Sequence, residues 1–168
     1  VFLYDGCADG YRSLPEVRRG AFTEIPPDLG VAAPHPRLGA VAVGARRPLV
    51  AVNCWLDRDD RDLARRIATS VRERDGGLPG VRALGLRLPQ RGVAQVSMNL
   101  VDLERTGVEE ACTAVRDTAG AAGVRVVRVE LVGLVPAPEA ARWSREFVAW
   151  SGLGPDVTVE GRLAARAP

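Results

Sequence analysis

The chain has 168 residues, of which 46% are hydrophobic, and this length and composition predict one domain with a buried core. A net charge of +2 and an aromatic content of 5% exclude the concentrated basic, aromatic surface that is typical of nucleic-acid-binding proteins. No apolar run is long enough to span a bilayer, and residues 1–4 lack the basic lead of a secretory signal. Because the chain starts at Val1 instead of Met, we expect a fragment or a processed product.

The three cysteines, Cys7, Cys54 and Cys112, are far apart and odd in number, which argues against a disulfide framework or a zinc site. Cys54 and Cys112 have apolar neighbours, which favours small core residues over nucleophiles. This use of cysteine is typical of a reducing compartment, so we expect a cytoplasmic protein. We expect no bound metal, because the aspartates at residues 57–62 lack the spacing of a calcium loop.

The first predicted elements are short. Residues 1–4 predict a strand. A helix is predicted from Ser13, a capping residue that Pro15 follows, to Gly20. Residues 23–38 are rich in Pro and Gly and predict an irregular loop.

Regular patterns begin after this loop. Residues 41–43 and 48–56 predict two strands with a turn at Gly44 between them. The aspartates at residues 57–60 predict the start of a helix, and apolar residues at helical spacing continue it to Val71.

A glycine-rich segment, residues 75–80, ends that helix, and a predicted hairpin follows. Its strands are residues 81–88 and 92–101, and residues 89–92 form the connecting loop.

The last part of the chain predicts a helix, a strand and a second helix. Thr106 and Glu109 have the spacing of a capping box and predict a helix that ends at Gly123. Residues 124–135 predict the last strand, and Pro136 begins a final helix. Four residues are expected to make the contacts of that helix: Ala141, Phe147, Val148 and Trp150.

Between residues 48 and 135 the predicted order is strand, helix, strand, strand, helix, strand. This is the split βαβ order of a ferredoxin-like sandwich, an α+β fold in which helices cover one face of an antiparallel sheet. We therefore predict this sandwich with an extra N-terminal segment and a C-terminal helix. The second face of the sheet is open unless another surface packs on it.

Alternation along the strands separates the residues of the two faces. The inward rows are apolar and comprise Val50, Val52, Cys54, Leu56, Val96, Met98, Leu100, Val127, Val129 and Leu131. The open face carries Asn53, Trp55, Gln95, Ser97, Asn99, Arg128 and Glu130. Solvation alone explains a polar outer face, but Asn is depleted in strands, so Asn53 and Asn99 favour a hydrogen-bonding surface. Amides and a carboxylate suit a pterin-like heterocycle or an amino-acid backbone, and periodicity does not decide between these ligands.

Four separated segments of the chain form a recognisable series: residues 39–53, 76–85, 94–100 and 130–134. In sequence, order and spacing they resemble the C-terminal subdomain of the glutamate formimidoyltransferase (formiminotransferase) family. Residues 1–4 and 17–20 resemble the segment that joins the family's two subdomains. The resemblance implies that residues 1–38 are this link, residues 39–152 are the subdomain and residues 153–168 are a tail.

The family transfers a formimidoyl group between tetrahydrofolate and L-glutamate, in one-carbon metabolism and histidine degradation. The resemblance implies two ferredoxin-like subdomains with folate between their sheets, so the open face would contact folate through Asn53, Gln95, Asn99 and Glu130. The tetrahydrofolate derivative is a substrate, and no metal is implied. By position, the family's folate-contacting loop corresponds to Gly30, Val31, Ala32, Ala33, Pro34, His35, Pro36, Arg37, Leu38 and Gly39.

His35 is the only histidine, and residues 35–40 resemble the string around the family's catalytic histidine. The residues that follow continue as the C-terminal subdomain, whereas the catalytic histidine belongs to the N-terminal one. We therefore name no catalytic residue, and we interpret His35 as a residue of the folate site or of a surface loop instead of a general base. Arg37 and Arg46 would attract the carboxylates of a folate tail, or they are solvated surface arginines.

Two positions depart from the family pattern. Trp55 stands where the family often has the second Asn of an Asn-x-Asn motif, and Val129 stands where a Ser is common. Trp55 would either stack on a ring of the ligand or block the cleft.

The predicted function is therefore the folate-binding half of a glutamate formimidoyltransferase. This half would be inactive alone, because another segment or another chain would supply the catalytic half. Two alternatives remain: a stand-alone ferredoxin-like module that binds a ligand or a partner without catalysis, and a homodimer in which two sheet faces pack together.

Overall fold

The computed structural model describes residues 1–10 and 12–166. The chain divides into two compact units, an N-terminal unit, Val1–Arg47, and a sheet unit, Pro48–Pro168, and each is described by itself. The last two residues of the predicted tail lie outside the described residues. The role of residues 1–38 as a link to another subdomain stays a prediction.

The N-terminal unit contains two strands and one helix: β1, Phe2–Asp5; α1, Leu14–Gly20; and β2, Ala42–Ala45. The predicted helix start is confirmed, because Ser13 and Glu16 form a capping box there. Phe2 and Val17 are buried, and the ring of Phe2 meets that of Phe22 edge to face with centroids 4.9 Å apart.

The predicted turn at Gly44 is wrong. Gly44 lies inside β2, which pairs in parallel with β1 and not with the strand that follows. A Cβ atom at Gly44 would lie 2.4 Å from the ring of Tyr4. The close packing of the Tyr4 ring on this backbone therefore requires glycine at position 44. The sequence pattern indicates instead that the chain reverses direction at Gly44.

The sheet unit has the predicted order of elements and contains one four-stranded sheet in the order β4-β5-β3-β6, with every neighbouring pair antiparallel. This arrangement confirms the α+β fold with a ferredoxin-like split βαβ order. Its elements are β3, Val50–Leu56; α2, Arg61–Val71; β4, Val81–Leu88; β5, Val93–Leu100; α3, Val108–Ala121; and β6, Val126–Val132. Single 3-10 turns occur at Glu73–Asp75 and Pro89–Arg91.

Helices α2 and α3 cover one face of this sheet and form the main core with it. The inward rows of β3 and β5 are buried as predicted. Cys54 and Cys112 are buried in this core, which confirms their interpretation as core residues. A hydrogen bond with Cys54, together with burial, raises the pKa of the Cys112 thiol well above its ordinary value, so this thiol stays protonated.

One member of the inward rows is predicted wrongly. Val127 is 53% exposed, because the pairing of β6 with β3 shifts register between Trp55 and Leu56. Arg128 lies opposite Trp55, but Val126 lies opposite Leu56, so Val127 is an extra residue in the ladder. Val126 packs against the core in its place.

The predicted capping box at the start of α3 is also wrong. The N-cap residue is Gly107, and the hydroxyl of Thr106 is buried without a hydrogen-bond partner among the described residues. The carboxylate of Glu139 accepts a hydrogen bond from the backbone N–H of Val108 at 2.7 Å instead. Glu109 accepts bonds from the backbone N–H and the hydroxyl of Ser144.

The predicted final helix is divided into two, and a third helix follows it. Their bounds are α4, Ala137–Ala140; α5, Arg145–Ser151; and α6, Val159–Ala164. The hydroxyl of Ser144 caps α5 by accepting a hydrogen bond from the backbone N–H of Phe147, whose side chain is buried in the core. The guanidinium of Arg116 stacks on Trp150, 4.9 Å from the ring centroid. The predicted contacts of Ala141 and Val148 are wrong, because both side chains are exposed. The prediction assumed one continuous helix, whereas a separate helix, α5, starts after Ser144. None of the helices in the described part of the chain has the length and apolar character needed to cross a membrane.

Candidate functional site

The polar residues of the open face lie side by side across three strands of the sheet unit. Asn53 of β3 pairs with Ser97 of β5 on one side and with Glu130 of β6 on the other. The pairing of β3 also places Trp55 between Gln95 and Arg128. Since alternate residues of a strand point to the same face, the predicted polar surface is continuous.

A cavity of about 530 Å³ lies at one end of this face. The turn Pro89–Arg91 forms its rim, and the sheet residues that line it are Asn53, Trp55, Leu88, Gln95, Arg128 and Glu130. The structure therefore brings three of the four predicted face residues together. Asn99 does not line the cavity; it is exposed and lies opposite Ala51, farther along the sheet.

Glu130 is held in place by two hydrogen bonds to the same carboxylate oxygen. The side-chain amide of Asn53 donates to Oε2 at 3.1 Å, and the indole N–H of Trp55 donates to Oε2 at 3.3 Å. The guanidinium of Arg128 stacks over the Trp55 ring, 4.9 Å from its centroid. Trp55 is therefore fixed on one face by Arg128 and at its edge by Glu130.

Gln95 is largely buried, but its amide remains accessible. The residue as a whole is 6% exposed, and its side-chain amide makes no hydrogen bond with any described residue. Asn53 is 8% exposed and uses its amide N–H, but its carbonyl oxygen accepts no bond from the described residues. These unpaired amide groups are accessible from the cavity and are therefore available to a polar ligand or to water.

The turn at Pro89–Arg91 is the part of the site that the sequence did not indicate. The pattern predicts only a hairpin loop there, and Gly92 in the left-handed region confirms a tight turn. Trp55 and Arg128 were placed on the open face but not among the candidate binding residues. Their stacked arrangement follows from the pairing of Trp55 with Arg128 across β3 and β6, which the pattern of either strand alone does not contain.

The ten loop residues from Gly30 to Gly39 lie in the N-terminal unit and are all exposed. The backbone N–H and C=O of His35 pair with those of Gly39 at 2.9 and 2.8 Å, which closes a small loop. The ring Nδ1 of His35 accepts hydrogen bonds from the backbone N–H groups of Arg37 and Leu38 at 3.2 and 3.1 Å. In the neutral imidazole the proton then lies on Nε2.

Three charged side chains line the cavity: Arg91, Arg128 and Glu130. Glu130 forms no ion pair with any residue that the structure describes, since Arg128 stacks on the Trp55 ring. No group of three or more His, Cys, Asp or Glu side chains within residues 1–10 and 12–166 has the arrangement of a metal site. The arrangement is suited to binding a planar ligand that offers several hydrogen-bonding groups.

Comparisons with known proteins identify a family. Residues 51–149 match the formiminotransferase domain family. The glutamate formimidoyltransferase of Streptococcus pyogenes serotype M1 is 38% identical over 148 residues, which cover 82% of this chain and 50% of that protein. The glutamate formimidoyltransferase of Thermoplasma acidophilum is 31% identical over 141 residues, covering 84% of this chain and 46% of that protein.

The chain is also similar to a longer protein. The formimidoyltransferase-cyclodeaminase of Sus scrofa is 38% identical over 157 residues, which cover 81% of this chain and 28% of that protein. The chain thus spans about half the length of the glutamate formimidoyltransferases that it matches. Because the family match includes more than half of its residues, the chain belongs to the formiminotransferase family.

Proposed function

We propose that the chain is the folate-binding half of a glutamate formimidoyltransferase, which transfers a formimidoyl group between tetrahydrofolate and L-glutamate. The observation that supports this most strongly is the cavity on the open face, where the amide of Gln95 is accessible and has no hydrogen-bond partner among the described residues. All the sheet residues that line the cavity lie inside the segment that matches the family.

The cavity has the size and the chemistry of a site for part of a folate. Ligand sites commonly have volumes of about 300 to 1,000 Å³ and combine apolar walls with a few polar groups. Here Gln95, Asn53 and Glu130 offer donors and acceptors to the edge of a pterin-like ring. The indole of Trp55, held under Arg128, forms a rigid wall beside them.

The loop from Gly30 to Gly39 is proposed as a second folate contact. Its backbone is closed by the His35 and Gly39 pair, so its exposed groups are held in a fixed arrangement. In this proposal Arg37 and Arg46 attract the carboxylates of the folate tail through charge-assisted hydrogen bonds. His35 then has the role of a binding residue instead of a general base.

The catalytic base is proposed to belong to the half that the relatives have and that this chain does not span, either in a longer protein or in a separate chain. In the complete enzyme this chain would orient the folate against glutamate, and such alignment supplies a large part of many rate enhancements. We place this reaction in the cytoplasm and in histidine degradation.

The chain alone should be inactive as a transferase. An assay of formimidoyl transfer with purified chain, tetrahydrofolate and N-formimidoyl-L-glutamate checks this expectation. Turnover that rises in proportion to chain concentration, and that disappears in a His35→Ala variant, would contradict it and would assign the base to this chain.

Folate binding should depend on the unpartnered amide in the cavity. We expect Gln95→Met, which keeps the length of the side chain, to weaken binding of a reduced folate by about tenfold or more, measured by calorimetric titration. Asn99→Leu, outside the cavity, should have a smaller effect. Asn99→Leu is therefore the control, because it removes an exposed amide from the same sheet face but outside the cavity.

Two outcomes would contradict the proposed folate site. Absence of binding at millimolar folate, or equal losses in Gln95→Met and Asn99→Leu, would remove the support for this cavity. Thermal unfolding of each variant shows whether a loss of binding reflects a loss of fold.

The alternative of a sheet face that packs on another protein surface has one observation in its favour. Leu84 on β4 and Val132 on β6, at the two edges of the open face, are 60% and 56% exposed. A missing half or a second copy of the chain would cover them. Analytical ultracentrifugation distinguishes these occupants, since only the second predicts a dimer of the chain alone.

A further inference from the structure

Strand β4 forms one edge of the four-stranded sheet and is long and regular. It spans the eight residues Val81–Leu88 and pairs with β5 on one side only, in a continuous register. The opposite edge strand, β6, contains the extra residue Val127, and such a bulge disrupts the row of backbone groups that another strand needs. The regular free edge of this sheet is therefore that of β4.

The register with β5 determines which backbone groups of β4 point outward. The N–H of Val101 donates to the carbonyl of Gly80 at 2.9 Å, so this pair and every second pair after it exchange hydrogen bonds across the two strands. The N–H and C=O groups of the residues between them point away from β5. These residues are Ala83, Gly85 and Arg87, and their backbone groups bond to no described residue.

Helix α2 lies along this free edge. Its backbone packs against Gly85, where an added Cβ atom would lie 2.2 Å from the backbone nitrogen of Arg65. A groove of about 370 Å³ lies between the flank of the helix and the edge strand. One wall consists of Leu84–Leu86 of β4, and the other carries one threonine and four arginines: Thr69, Arg61, Arg65, Arg72 and Arg74.

The groove is positively charged. Arg61 forms no ion pair with a described residue, and Arg65 is paired only with Asp62, whose exposed carboxylate lies 3.9 Å away. The two remaining arginines share one carboxylate, that of Asp75. No Asp or Glu lines the groove in the part of the chain that the structure describes. The guanidinium groups of Arg61 and Arg65 are therefore available to the carboxylates of a partner.

We propose that the free edge of β4 and the arginines of α2 form a docking site for an extended, acidic segment of a partner protein. The segment adds to β4 as a fifth strand, and its backbone bonds to the outward groups of Ala83, Gly85 and Arg87. Its carboxylates lie on the helix side of the sheet, where they meet Arg61 and Arg65. The groove shares no lining residue with the cavity proposed for folate, so the two sites are separate.

The two faces of the edge determine the residue pattern of the segment. Arg61 and Arg65 are about 6 Å apart along the helix axis, close to the spacing of about 6.6 Å between alternate residues of a strand. The other face of β4 carries Leu84 and Leu86, which are 60% and 37% exposed. A segment with acidic residues at every second position and apolar residues between them therefore fits both faces.

The charges of the groove disfavour a second copy of the chain as the occupant. Two β4 edges that paired about a two-fold axis would bring two sets of groove arginines together. Like charges at close range oppose such an association, whereas an acidic segment neutralises the arginines.

The test uses a fluorescein-labelled octapeptide of alternating glutamate and valine, whose anisotropy is followed as the whole chain is added. We expect saturable binding that weakens at least about fivefold between about 50 and 500 mM salt. Two control peptides should bind at least about tenfold more weakly: one with lysine in place of glutamate, and one of the same composition with all its glutamates before its valines. Equal affinity for either control, or tighter binding of an oligouridylate, would overturn the proposal.

Two double variants assign the charge to the groove. Arg61→Gln/Arg65→Gln should lower the affinity for the alternating peptide at least about tenfold. Arg66→Gln/Arg145→Gln removes the same charge from exposed positions that do not line the groove, and it should leave the affinity within about twofold. Equal losses in the two variants would overturn the proposal.

Hydrogen exchange tests the backbone contact directly and needs no variant. Bound peptide should slow exchange at the outward amides of Ala83, Gly85 and Arg87 and leave those of Leu84 and Leu86, which bond to β5, little changed. Unchanged exchange at the three outward amides would overturn the proposal. Slow exchange there before peptide is added, together with a dimer in analytical ultracentrifugation, would also overturn it, because a second copy would then occupy the edge.

Discussion

Replacing Gly85 with alanine should lower the free energy of unfolding of the sheet unit by at least about 3 kcal/mol. A Cβ atom at this position would lie 2.2 Å from the backbone nitrogen of Arg65 and 2.3 Å from the carbonyl carbon of Ala64. These are backbone atoms of α2, so no side-chain rotation relieves the collision. The helix would have to move away from β4, which would open the core between them.

Urea denaturation of the wild type and the variant measures this effect. Gly120→Ala is the matched control, because a Cβ atom at Gly120 in α3 meets no heavy atom within 4 Å. There the substitution should stabilise the protein by about 0.5 to 1 kcal/mol, since alanine is the better helix former. Similar unfolding midpoints for the two variants would show that α2 does not pack on β4 as closely as described.

Removing the carboxylate of Glu139 should have the second large effect, a loss of about 3 kcal/mol in Glu139→Ala. This side chain is 3% exposed. Its Oε1 accepts bonds from the backbone N–H of Val108 at 2.7 Å and from the indole of Trp143 at 3.1 Å, and its Oε2 pairs with Arg142. Alanine would leave the buried N–H of Val108 and the half-buried indole N–H of Trp143 without their acceptor, and it would remove the ion pair of Arg142.

Two comparisons test this role. Glu139→Gln keeps an acceptor for Val108 and should lose less stability than Glu139→Ala. Glu146→Ala removes an exposed ion pair with Arg116 and should change stability by less than about 0.5 kcal/mol. Amide hydrogen exchange at Val108 should accelerate in Glu139→Ala; unchanged exchange there would contradict the assignment of Glu139 as the cap of α3.

The features of the fold that follow from a local or periodic pattern of residues were predictable from the sequence. Residues of one strand alternate between two faces, so the rows through Asn53 and Gln95 could be assigned to the open face without coordinates. The helix start at Ser13 was also predictable, because the capping residue and Pro15 lie within one turn.

The remaining features depend on contacts between distant residues. The cap of α3 comes from Glu139, 31 residues after Val108, so the local capping-box pattern at Thr106 was misleading. The exposure of Val127 follows from a register shift against β3, which the sequence of β6 alone does not contain. Gly44 packs against Tyr4 in a strand, although glycine in isolation favours a turn.

The candidate site was predictable to a similar extent. Alternation identified Asn53, Gln95 and Glu130, which line the cavity, and it also included Asn99, which does not. Membership of one face is a local property of each strand, whereas membership of the cavity depends on where the turn Pro89–Arg91 lies over the sheet. The loop from Gly30 to Gly39 was selected by resemblance alone, and its contact with folate stays a proposal.

The measurement that tests the proposed folate site most directly is an NMR titration of the isotopically labelled chain with a stable reduced folate, 5-formyltetrahydrofolate. We predict saturable shifts of the side-chain amides of Gln95 and Asn53 and of the indole N–H of Trp55, with little change on the outer surfaces of α2 and α3. Shifts confined to those helices, or no shifts up to millimolar folate, would contradict the assignment of the open sheet face as the folate-binding surface.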